Sequence, residues 1–350
     1  MTEASAPGKL ILCGEHAVVY GRPAIAVPLA SVRARAVVEG APPGTGVSFE
    51  APDLGRSWSL AGAPDDPFSQ LATTVLDRLA PGRALDLRVT LSSAIPLASG
   101  MGSGAAIATA LVRALAAHLG VMLPPEEVSA LVYTSERRFH GTPSGIDNTV
   151  VALERPVWFQ RSNDQRPTTN DQREAPPTDT AEITGDQRSS FVVRRSSNPA
   201  QQAVIEPIAI GAPLTLLVGD TGVRSETRLP VGEVRRRREA DPARYEALFN
   251  AVGAVAARAR EALAAGDLAA LGGLLDENHA LLRAIGVSSP ELDQLVSAAR
   301  AAGALGAKLS GAGWGGVMLA LVGRGTRERV RAALLAAGAV RVIETEVPAG

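Results

Sequence analysis

Apolar residues recur along the chain with two different spacings, and each spacing predicts its own kind of element. Alternating or continuous apolar runs predict strands at residues 9–13, from 24 onward, 32–38, 47–60, 87–95, 214–220, 305–310, 317–322 and 340–347. Apolar positions three and four apart predict helices at residues 68–79, 105–119, 126–140, 231–240, 245–265, 268–285, 290–302 and 327–337. The pattern therefore indicates a protein of mixed α and β structure.

The region around residue 150 is the least regular part of this pattern. Residues 141–149 predict an irregular segment that ends near Asp147. Residues 150–160 are mostly apolar and predict two short strands with a turn at residues 154–156.

Residues 161–202 interrupt the pattern with a polar, turn-rich composition. The tetrad Asn-Asp-Gln-Arg occurs at 163–166 and at 170–173, and apolar anchors are few. Such a segment buries too little surface to offset the entropy lost on ordering, so we predict a low-complexity, disordered insertion between two strands. Acidic residues lie among its arginines and stacking aromatics are missing, which argues against nucleic-acid binding.

Composition and charge exclude several classes of protein. The chain has 350 residues, enough for two domains, and its net charge of −1 attracts neither nucleic acid nor an anionic membrane. Cys13 is the one cysteine, so no intrachain disulfide can form, and its apolar surroundings suit a small core residue. No apolar stretch is long enough to span a bilayer and no cationic region precedes the first one. We therefore predict a cytoplasmic protein without a signal peptide.

Residues 96–106 form a glycine-rich turn between a predicted strand and a predicted helix. Gly100, Gly102 and Gly104 would let the backbone bend tightly and approach a ligand, and the free N–H groups at a helix start favour phosphate. Ser103 could cap the helix or contact a metal. Taken alone, the turn is equally consistent with a tight bend that binds nothing.

A second group of polar residues lies on the first predicted strand and the turn after it. By strand alternation Lys9 shares a face with Ile11 and Cys13, so it would lie among apolar neighbours and either snorkel to solvent or be functional. Glu15 and His16 follow at the strand's end. The alternative interpretation makes Lys9 and Glu15 solvated charges and His16 an ordinary loop histidine.

Two carboxylates could meet near the end of the helix predicted at residues 126–140. Glu136 lies in its last turns, and the irregular segment that follows could carry Asp147 back toward the same cavity. Either residue alone would more commonly be a surface charge. Residues 311–316 form a second glycine turn, which either joins a hairpin between packed layers or faces the first turn.

Three motifs taken together resemble those of the GHMP small-molecule kinases, in the same order and spacing. They are Ala-Pro-Gly-Lys…Gly-Glu-His-Ala-Val-Val-Tyr-Gly at residues 6–21, Pro-Leu-Ala-Ser-Gly-Met-Gly-Ser-Gly-Ala-Ala at 96–106, and Lys-Leu-Ser-Gly-Ala-Gly-Trp-Gly-Gly at 308–316. The first motif, and Gly-Thr-Pro-Ser-Gly-Ile-Asp-Asn at 141–148, are most similar to members that phosphorylate mevalonate. The resemblance covers the chain except for roughly residues 161–202.

The resemblance implies a two-domain α+β fold. Residues 1–209 would form the N-terminal, ATP-binding domain, with a left-handed βαβ unit like that of the S5 fold. Residues 210–350 would form a ferredoxin-like C-terminal domain. ATP and the substrate would bind in the cleft between the two domains.

The resemblance also implies a reaction, the transfer of the γ-phosphoryl group of ATP to the 5-hydroxyl of (R)-mevalonate with Mg²⁺ as cofactor. Asp147 matches the aspartate that takes the hydroxyl proton, Lys9 matches the lysine that pairs with it, and Glu136 matches the Mg²⁺ ligand. The positions that match ATP contacts are Ser93, Pro96, Ala98, Ser99, Gly100, Met101, Gly102, Ser103 and Gly104, with a weaker match at Asp53.

The substrate end and the metal site complete the implied assignments. Glu15, His16 and Thr227 match the positions that contact the substrate. The family usually carries two adjacent serines in the glycine loop, whereas this chain has Ser103 followed by Gly104. Either Ser103 contacts the metal, or Glu136 and water hold the ion without a hydroxyl.

Other functions remain open at this point. A different GHMP kinase, acting on phosphomevalonate or a sugar, would share the three motifs. A non-catalytic nucleotide-binding regulator would share the fold, although the presence of Lys9, Glu136 and Asp147 argues against it. The expected partners are ATP and mevalonate, with no nucleic acid and no membrane, and a homodimer is left open.

Overall fold

The computed structural model describes residues 1–96, 99–140, 144–161, 194–195, 203–224 and 227–350, with the backbone alone at 137–140 and 194–195. The strands in this part of the chain are β1 Thr2–Cys13, β2 Ala24–Gly40, β3 Val47–Ala51, β4 Arg56–Ser59, β5 Leu87–Ser93, β6 Val157–Arg161, β7 Arg194–Arg195, β8 Ala203–Pro207, β9 Leu214–Asp220, β10 Gly306–Ser310, β11 Val317–Val322 and β12 Arg341–Val347. The helices are α1 Pro67–Leu79, α2 Ser103–His118, α3 Pro125–His140, α4 Ile146–Leu153, α5 Arg228–Ala240, α6 Pro242–Ala265, α7 Leu268–Ile285, α8 Pro290–Ala301 and α9 Arg327–Ala336. Short 3₁₀ turns lie at Ala17–Tyr20 and Pro52–Leu54.

The first sheet is organised around the long strand β2. Its strand order is β4-β3-β5-β2-β6-β8-β7, and β1 also pairs with β2. Strand β2 is antiparallel to β1, β5 and β6. Strands β3 and β5 are parallel neighbours, and the connection between them contains α1, which makes the expected βαβ unit.

The second sheet is the four-stranded antiparallel sheet β10-β11-β9-β12. Helices α5 to α8 lie between its first and second strands in sequence, and α9 lies between the third and the fourth. A β-α-β-β-α-β order of this kind, with the strands arranged 4-1-3-2, is the ferredoxin-like topology. The C-terminal half therefore has the predicted fold.

One hydrophobic core runs from the first sheet into the second. It contains Leu10 of β1, Leu111 of α2, Leu216 of β9 and Ile343 of β12, all of them buried. Helix α2 is the centre of this core because small alanine side chains let it lie close to the sheet, and most of its residues are buried. Its N-terminus is thereby held rigidly against β1.

The prediction of strands at residues 150–160 is wrong in its first half. Residues up to Leu153 belong to α4, and the strand begins at Val157. Val150 packs in one hydrophobic cluster and Val151 in another, so the helix is buried on more than one side. A short apolar run of this kind has no periodicity that separates a buried helix from a buried strand.

Two details of the first strand also differ from prediction. Strand β1 begins at Thr2 rather than at Lys9, and its register shifts between Ile11 and Cys13. This bulge breaks the alternation that would have placed Ile11 and Cys13 on one face, and the two residues pack in different clusters.

The predicted disordered insertion at 161–202 lies outside the described residues, except for Arg161 and the strand β7. Among the described helices, none is both long enough and apolar enough to cross a bilayer.

Candidate active site

Lys9 and Asp147 form an ion pair at the centre of the site. Lys9 Nζ lies 3.2 Å from Asp147 Oδ1, with side-chain exposures of 4% for the lysine and 32% for the aspartate. Lys9 reaches outward from β1, and Asp147 lies in the first turn of α4. The lysine is therefore not the solvated charge of the alternative interpretation, and the carboxylate it supports remains open to solvent.

The first glycine turn packs directly against this pair. The Lys9 backbone N–H donates to the carbonyl of Met101 over 3.0 Å. Gly102 adopts a φ of 74°, and a methyl group placed on it would lie 2.9 Å from Lys9 Cγ and 3.7 Å from Asp147 Oδ2. Only glycine fits here without strain, because the backbone is left-handed and the neighbouring side chain is too close.

The start of α2 offers backbone donors beside the pair. Gly102 occupies the N-cap position and Ser103 is the first helical residue, so Ser103 does not cap the helix as one alternative predicted. The first N–H groups of a helix have no partner within it, and together with the helix dipole they favour an anion. The Ser99 hydroxyl donates to the Pro96 carbonyl over 2.7 Å and closes the turn.

One of the predicted loop residues, Gly104, behaves differently from expectation. Gly104 has no left-handed backbone conformation, and a methyl group on it would meet no atom within 4 Å. Its backbone is that of the helix and not of the bend, so the prediction that it permits the bend is wrong. The side chain of Met101 is fully buried in the core. Ala98 lies outside the described residues.

The second glycine turn joins β10 to β11 and also faces the first turn, so both alternatives for it are realised. A methyl group on Gly316 would lie 2.7 Å from the Ser99 carbonyl oxygen, and one on Gly311 would lie 3.4 Å from that of Gly100. A small pocket between the turns is lined by Ser99, Gly100, Thr227, Ser310, Ala312, Gly313, Gly315 and Gly316. The exposed Thr227, just before α5, therefore lies beside both turns.

Glu136 is the second carboxylate near the ion pair. It is half-buried near the end of α3. Burial raises the pKa of Glu136 to about 8, with a further rise from Asp147 and an opposing contribution from Lys9. Glu136 and Asp147 are thus close enough to interact electrostatically. A divalent cation bound beside them would offset the repulsion between two carboxylates.

The donor set suits Mg²⁺ better than a metal that needs a full protein cage. No group of three or more His, Cys, Asp or Glu side chains that could hold a metal occurs in the part of the chain that the structure describes. Mg²⁺ usually keeps several waters and binds through one or two carboxylates together with substrate phosphates. Glu136 and Asp147 fit this pattern.

Glu15 forms an ion pair with Lys308. Lys308 is the first residue of the third motif, and no role is predicted for it from the sequence. Both side chains are buried, and the Lys308 ammonium also donates to the carbonyls of Ile11 at 3.3 Å and Leu309 at 2.6 Å. Asn278 Nδ2 donates to the other Glu15 oxygen over 3.1 Å. Glu15 is therefore not a solvated charge, and both its oxygens have partners within the protein. A lysine in an otherwise apolar strand was the signal for this pair.

His16 connects the first motif to the second glycine turn. Its Nε2 lies 2.9 Å from the Ala312 carbonyl, which requires a protonated Nε2 as donor. Burial lowers the pKa of His16 to about 4, against a smaller rise from this hydrogen bond. The imidazole is therefore neutral at pH 7 and lies next to the pocket.

Two of the predicted nucleotide contacts touch each other. The Ser93 backbone N–H donates to Asp53 Oδ2 over 2.7 Å, where β5 ends beside the 3₁₀ turn Pro52–Leu54. The Ser93 hydroxyl accepts from the Ile95 backbone N–H over 3.1 Å, so this residue shapes the entry to the glycine turn.

Comparisons with known proteins agree on one family. Residues 69–154 match the family model of the GHMP kinases N terminal domain, and residues 259–340 match that of the GHMP kinases C terminal domain. The mevalonate kinase of Pyrococcus horikoshii is 33% identical over 360 residues, covering 97% of this chain and 94% of that protein. The mevalonate kinase of Thermococcus gammatolerans is 32% identical, covering 97% and 95%.

Solved structures give the same result. The crystal structure of L. major mevalonate kinase in complex with R-mevalonate superposes with a TM-score of 0.76 at 29% identity, covering 100% of this chain and 97% of that one. Streptococcus pneumoniae phosphomevalonate kinase in complex with phosphomevalonate and AMPPNP has a TM-score of 0.75 at 17% identity, covering 99% and 100%. The second likeness concerns the fold alone, whereas the curated relatives are similar along nearly their whole length. This chain therefore belongs to the mevalonate kinase family of the GHMP kinases.

Proposed function

We propose that this chain transfers the γ-phosphoryl group of ATP to the 5-hydroxyl of (R)-mevalonate, giving 5-phosphomevalonate and ADP for isoprenoid biosynthesis. The observation that carries the proposal is the Lys9–Asp147 ion pair, which lies against Gly102 at the start of α2. A proton acceptor, its cation and a set of phosphate-binding amides are thereby adjacent. Membership of the mevalonate kinase family supports mevalonate as the alcohol.

Asp147 is the group that we assign to the hydroxyl proton. Its carboxylate is the exposed member of the pair, so an incoming alcohol can reach it, while the Lys9 ammonium lies 3.2 Å from Oδ1. The lysine charge also stabilises negative charge that develops on the attacking oxygen. Phosphoryl transfer otherwise depends on positioning and on charge stabilisation, which the glycine turn and the helix dipole of α2 provide.

Mg²⁺ is the metal that the carboxylates suit. We assign Glu136 as its carboxylate ligand. We assign Ser103 as the residue of the glycine loop whose hydroxyl would contact the ion. The ion, when bound, would neutralise charge on the β- and γ-phosphates. The other predicted contacts, which are Ser93, Pro96, Ala98, Ser99, Gly100, Met101, Gly102 and Gly104, would bind ATP mainly through the backbone.

The substrate end has one open group and two that are already engaged. Thr227 is exposed in the pocket between the glycine turns, so we assign it to direct contact with mevalonate. His16 and Glu15 are bonded to Ala312 and Lys308. Both are almost fully buried, so we propose that they support the second glycine turn and the adjoining strand from behind the pocket.

A domain boundary near residue 210 belongs to the same proposal. The first sheet ends with Pro207 of β8, and the second begins with Leu214 of β9. The cytoplasmic location and the homodimer stay predictions.

The test is a coupled ADP-release assay with (R)-mevalonate, phosphomevalonate and galactose as acceptors. We expect turnover with mevalonate, with an absolute requirement for ATP and Mg²⁺. Turnover with phosphomevalonate or galactose alone would replace the proposal by one of the other GHMP kinases. ATP binding with no turnover on any alcohol would favour the non-catalytic regulator.

A further inference from the structure

A buried hydrogen-bonded pair joins the two helices that carry Glu136 and Asp147. Asn148 is fully buried in the first turn of α4, next to Asp147 in sequence. Its Nδ2 donates to the Ser129 hydroxyl over 2.8 Å and to the Ser129 carbonyl over 3.1 Å. Ser129 lies on α3 and is itself buried.

The position of Ser129 on α3 relates this contact to the second carboxylate. Ser129 precedes Glu136 by seven residues, which is about two helical turns, so the two lie on the same side of α3. Asn148 is the residue after Asp147. The contact therefore fixes how far α4 can slide or rotate along α3, and with it the separation of the two carboxylates.

Stability does not explain an asparagine at this position. Asn148 Oδ1 is buried, and it has no hydrogen-bond partner among the residues that the structure describes. A buried polar atom without a partner costs stability, which offsets what the two hydrogen bonds of Nδ2 contribute, so stability alone gives the asparagine little advantage over an apolar side chain. What the asparagine adds over such a side chain is a directional bond to α3.

We propose that Asn148 is a positioning residue, which holds Asp147 and Glu136 at the separation that the metal and the proton acceptor require. The inference rests on the proposed function for the roles of the two carboxylates. It concerns the distance between the two carboxylates and not the role of either one. Loss of the contact would then impair metal binding and turnover while leaving the fold intact.

The main variant is Asn148→Leu, which keeps the branched shape of the side chain, is somewhat larger, and removes both hydrogen bonds. We expect the variant to unfold cooperatively at a Tm well above the assay temperature, with kcat reduced about 10- to 100-fold, as is typical when a residue supporting a metal ligand is lost. The KM for mevalonate should change less than about threefold, because the pocket residues are untouched.

A readout without turnover accompanies the kinetics. Mn²⁺ serves as a spectroscopic substitute for Mg²⁺, and its affinity is measured by electron paramagnetic resonance in the presence of a non-hydrolysable ATP analogue. We expect Asn148→Leu to bind Mn²⁺ about tenfold or more weakly than the wild type.

Thr345→Val is the matched control. Thr345 Oγ1 is also buried without a partner in the described part of the chain, but it lies on β12 of the second sheet. This variant should match the wild type in both kcat and Mn²⁺ affinity. Ser129→Ala is a second, milder variant that removes only the 2.8 Å bond, and the double variant should be no worse than Asn148→Leu alone.

Three outcomes would overturn the inference. The first is wild-type kcat and Mn²⁺ affinity in Asn148→Leu. The second is a loss of activity in Asn148→Leu that follows a lowered Tm while Ser129→Ala remains fully active, which indicates a purely structural role. The third is full additivity of the two substitutions. Absence of mevalonate turnover in the wild type would instead contradict the proposed function, and the Mn²⁺ measurements would still test the spacing.

Discussion

The Lys308 ammonium and the Glu15 carboxylate form an ion pair whose side chains expose 0% and 1% of their surface. Lys308 belongs to β10 of the second sheet, and Glu15 follows β1 of the first. Both charged groups also have neutral hydrogen-bond partners within the protein. Asn278 Nδ2 donates to Glu15, and the Lys308 ammonium donates to the Ile11 carbonyl. The pair therefore joins the two halves of the chain next to the proposed pocket.

Lys308→Met should destabilise the protein strongly. The substitution leaves the Glu15 charge buried without its cation, and breaking a buried pair in this way typically costs about 3–5 kcal/mol. The free energy of unfolding, measured in denaturant, checks this. Adding Glu15→Leu to Lys308→Met should recover most of the loss because no charge then remains buried.

An exposed pair provides the comparison for this measurement. Arg35 and Glu3 are paired at side-chain exposures of 63% and 46%. Arg35→Met should change the free energy of unfolding by less than about 1 kcal/mol. Equal effects of Lys308→Met and Arg35→Met would show that the buried pair contributes nothing special.

Asp147→Asn should retain ATP binding and lose turnover by about four orders of magnitude, comparable to neutralising an essential catalytic carboxylate. The amide keeps the shape but cannot accept the hydroxyl proton. Isothermal titration with ATP and the ADP-release assay separate the two effects. Near wild-type turnover would remove Asp147 from the chemistry.

Gly102→Ala should impair activity much more than Gly104→Ala. The first places a methyl group 2.9 Å from Lys9 Cγ on a backbone with a φ of 74°. We expect it to displace the ion pair and reduce kcat/KM about 100-fold, as small misplacements of reacting groups do. The second meets no atom within 4 Å in a helical conformation. It should fold as well as the wild type and retain kcat/KM within about tenfold, and the same assay compares both.

His16 should make the protein less stable in acid. Its folded pKa of about 4 lies below the ordinary 6.5, so in this window the unfolded chain binds the proton first. The stability is fully present above pH 6.5 and is lost as the pH falls toward 4, by up to about 3 kcal/mol. Denaturant unfolding at pH 7 and pH 5 measures the loss.

His16→Asn is the comparison for the pH series. Asparagine tolerates the left-handed φ of 60° at this position and does not titrate. The variant should lose less stability than the wild type between pH 7 and pH 5. An identical pH dependence in the two proteins would contradict the assignment to His16.

Residues 162–202 should be replaceable by a short hairpin turn. Arg161 and Ala203 are direct partners in the antiparallel pairing of β6 with β8, so the chain ends on either side of this segment already lie side by side. An Asn-Gly turn favours such a connection. We expect the shortened protein to fold and to keep mevalonate turnover within about threefold. Loss of cooperative thermal unfolding would show that the segment contributes to the fold.

Local sequence patterns were enough to predict most of the helices and strands and most of the residues that carry the chemistry. Helix α7 and strand β9 have their predicted bounds, because the long amphipathic helix carries a clear period and the apolar run of the strand is bounded by turn residues. Left-handed backbone at Gly100 and Gly102 was likewise predictable, since few other residues adopt it. The three motifs identified the family, and the curated relatives confirmed it.

The contacts that each of those residues makes depend on the packing of elements that are distant in sequence. No local pattern shows that Glu15 pairs with Lys308, because 293 residues separate them and only packing brings them together. The sequence around Val150 resembles a strand for a similar reason, since burial on several sides removes the helical period. The local periodicity of a sequence indicates which side chains are buried. Contacts between residues that are distant in the chain depend on how the two sheets and α2 pack around one core.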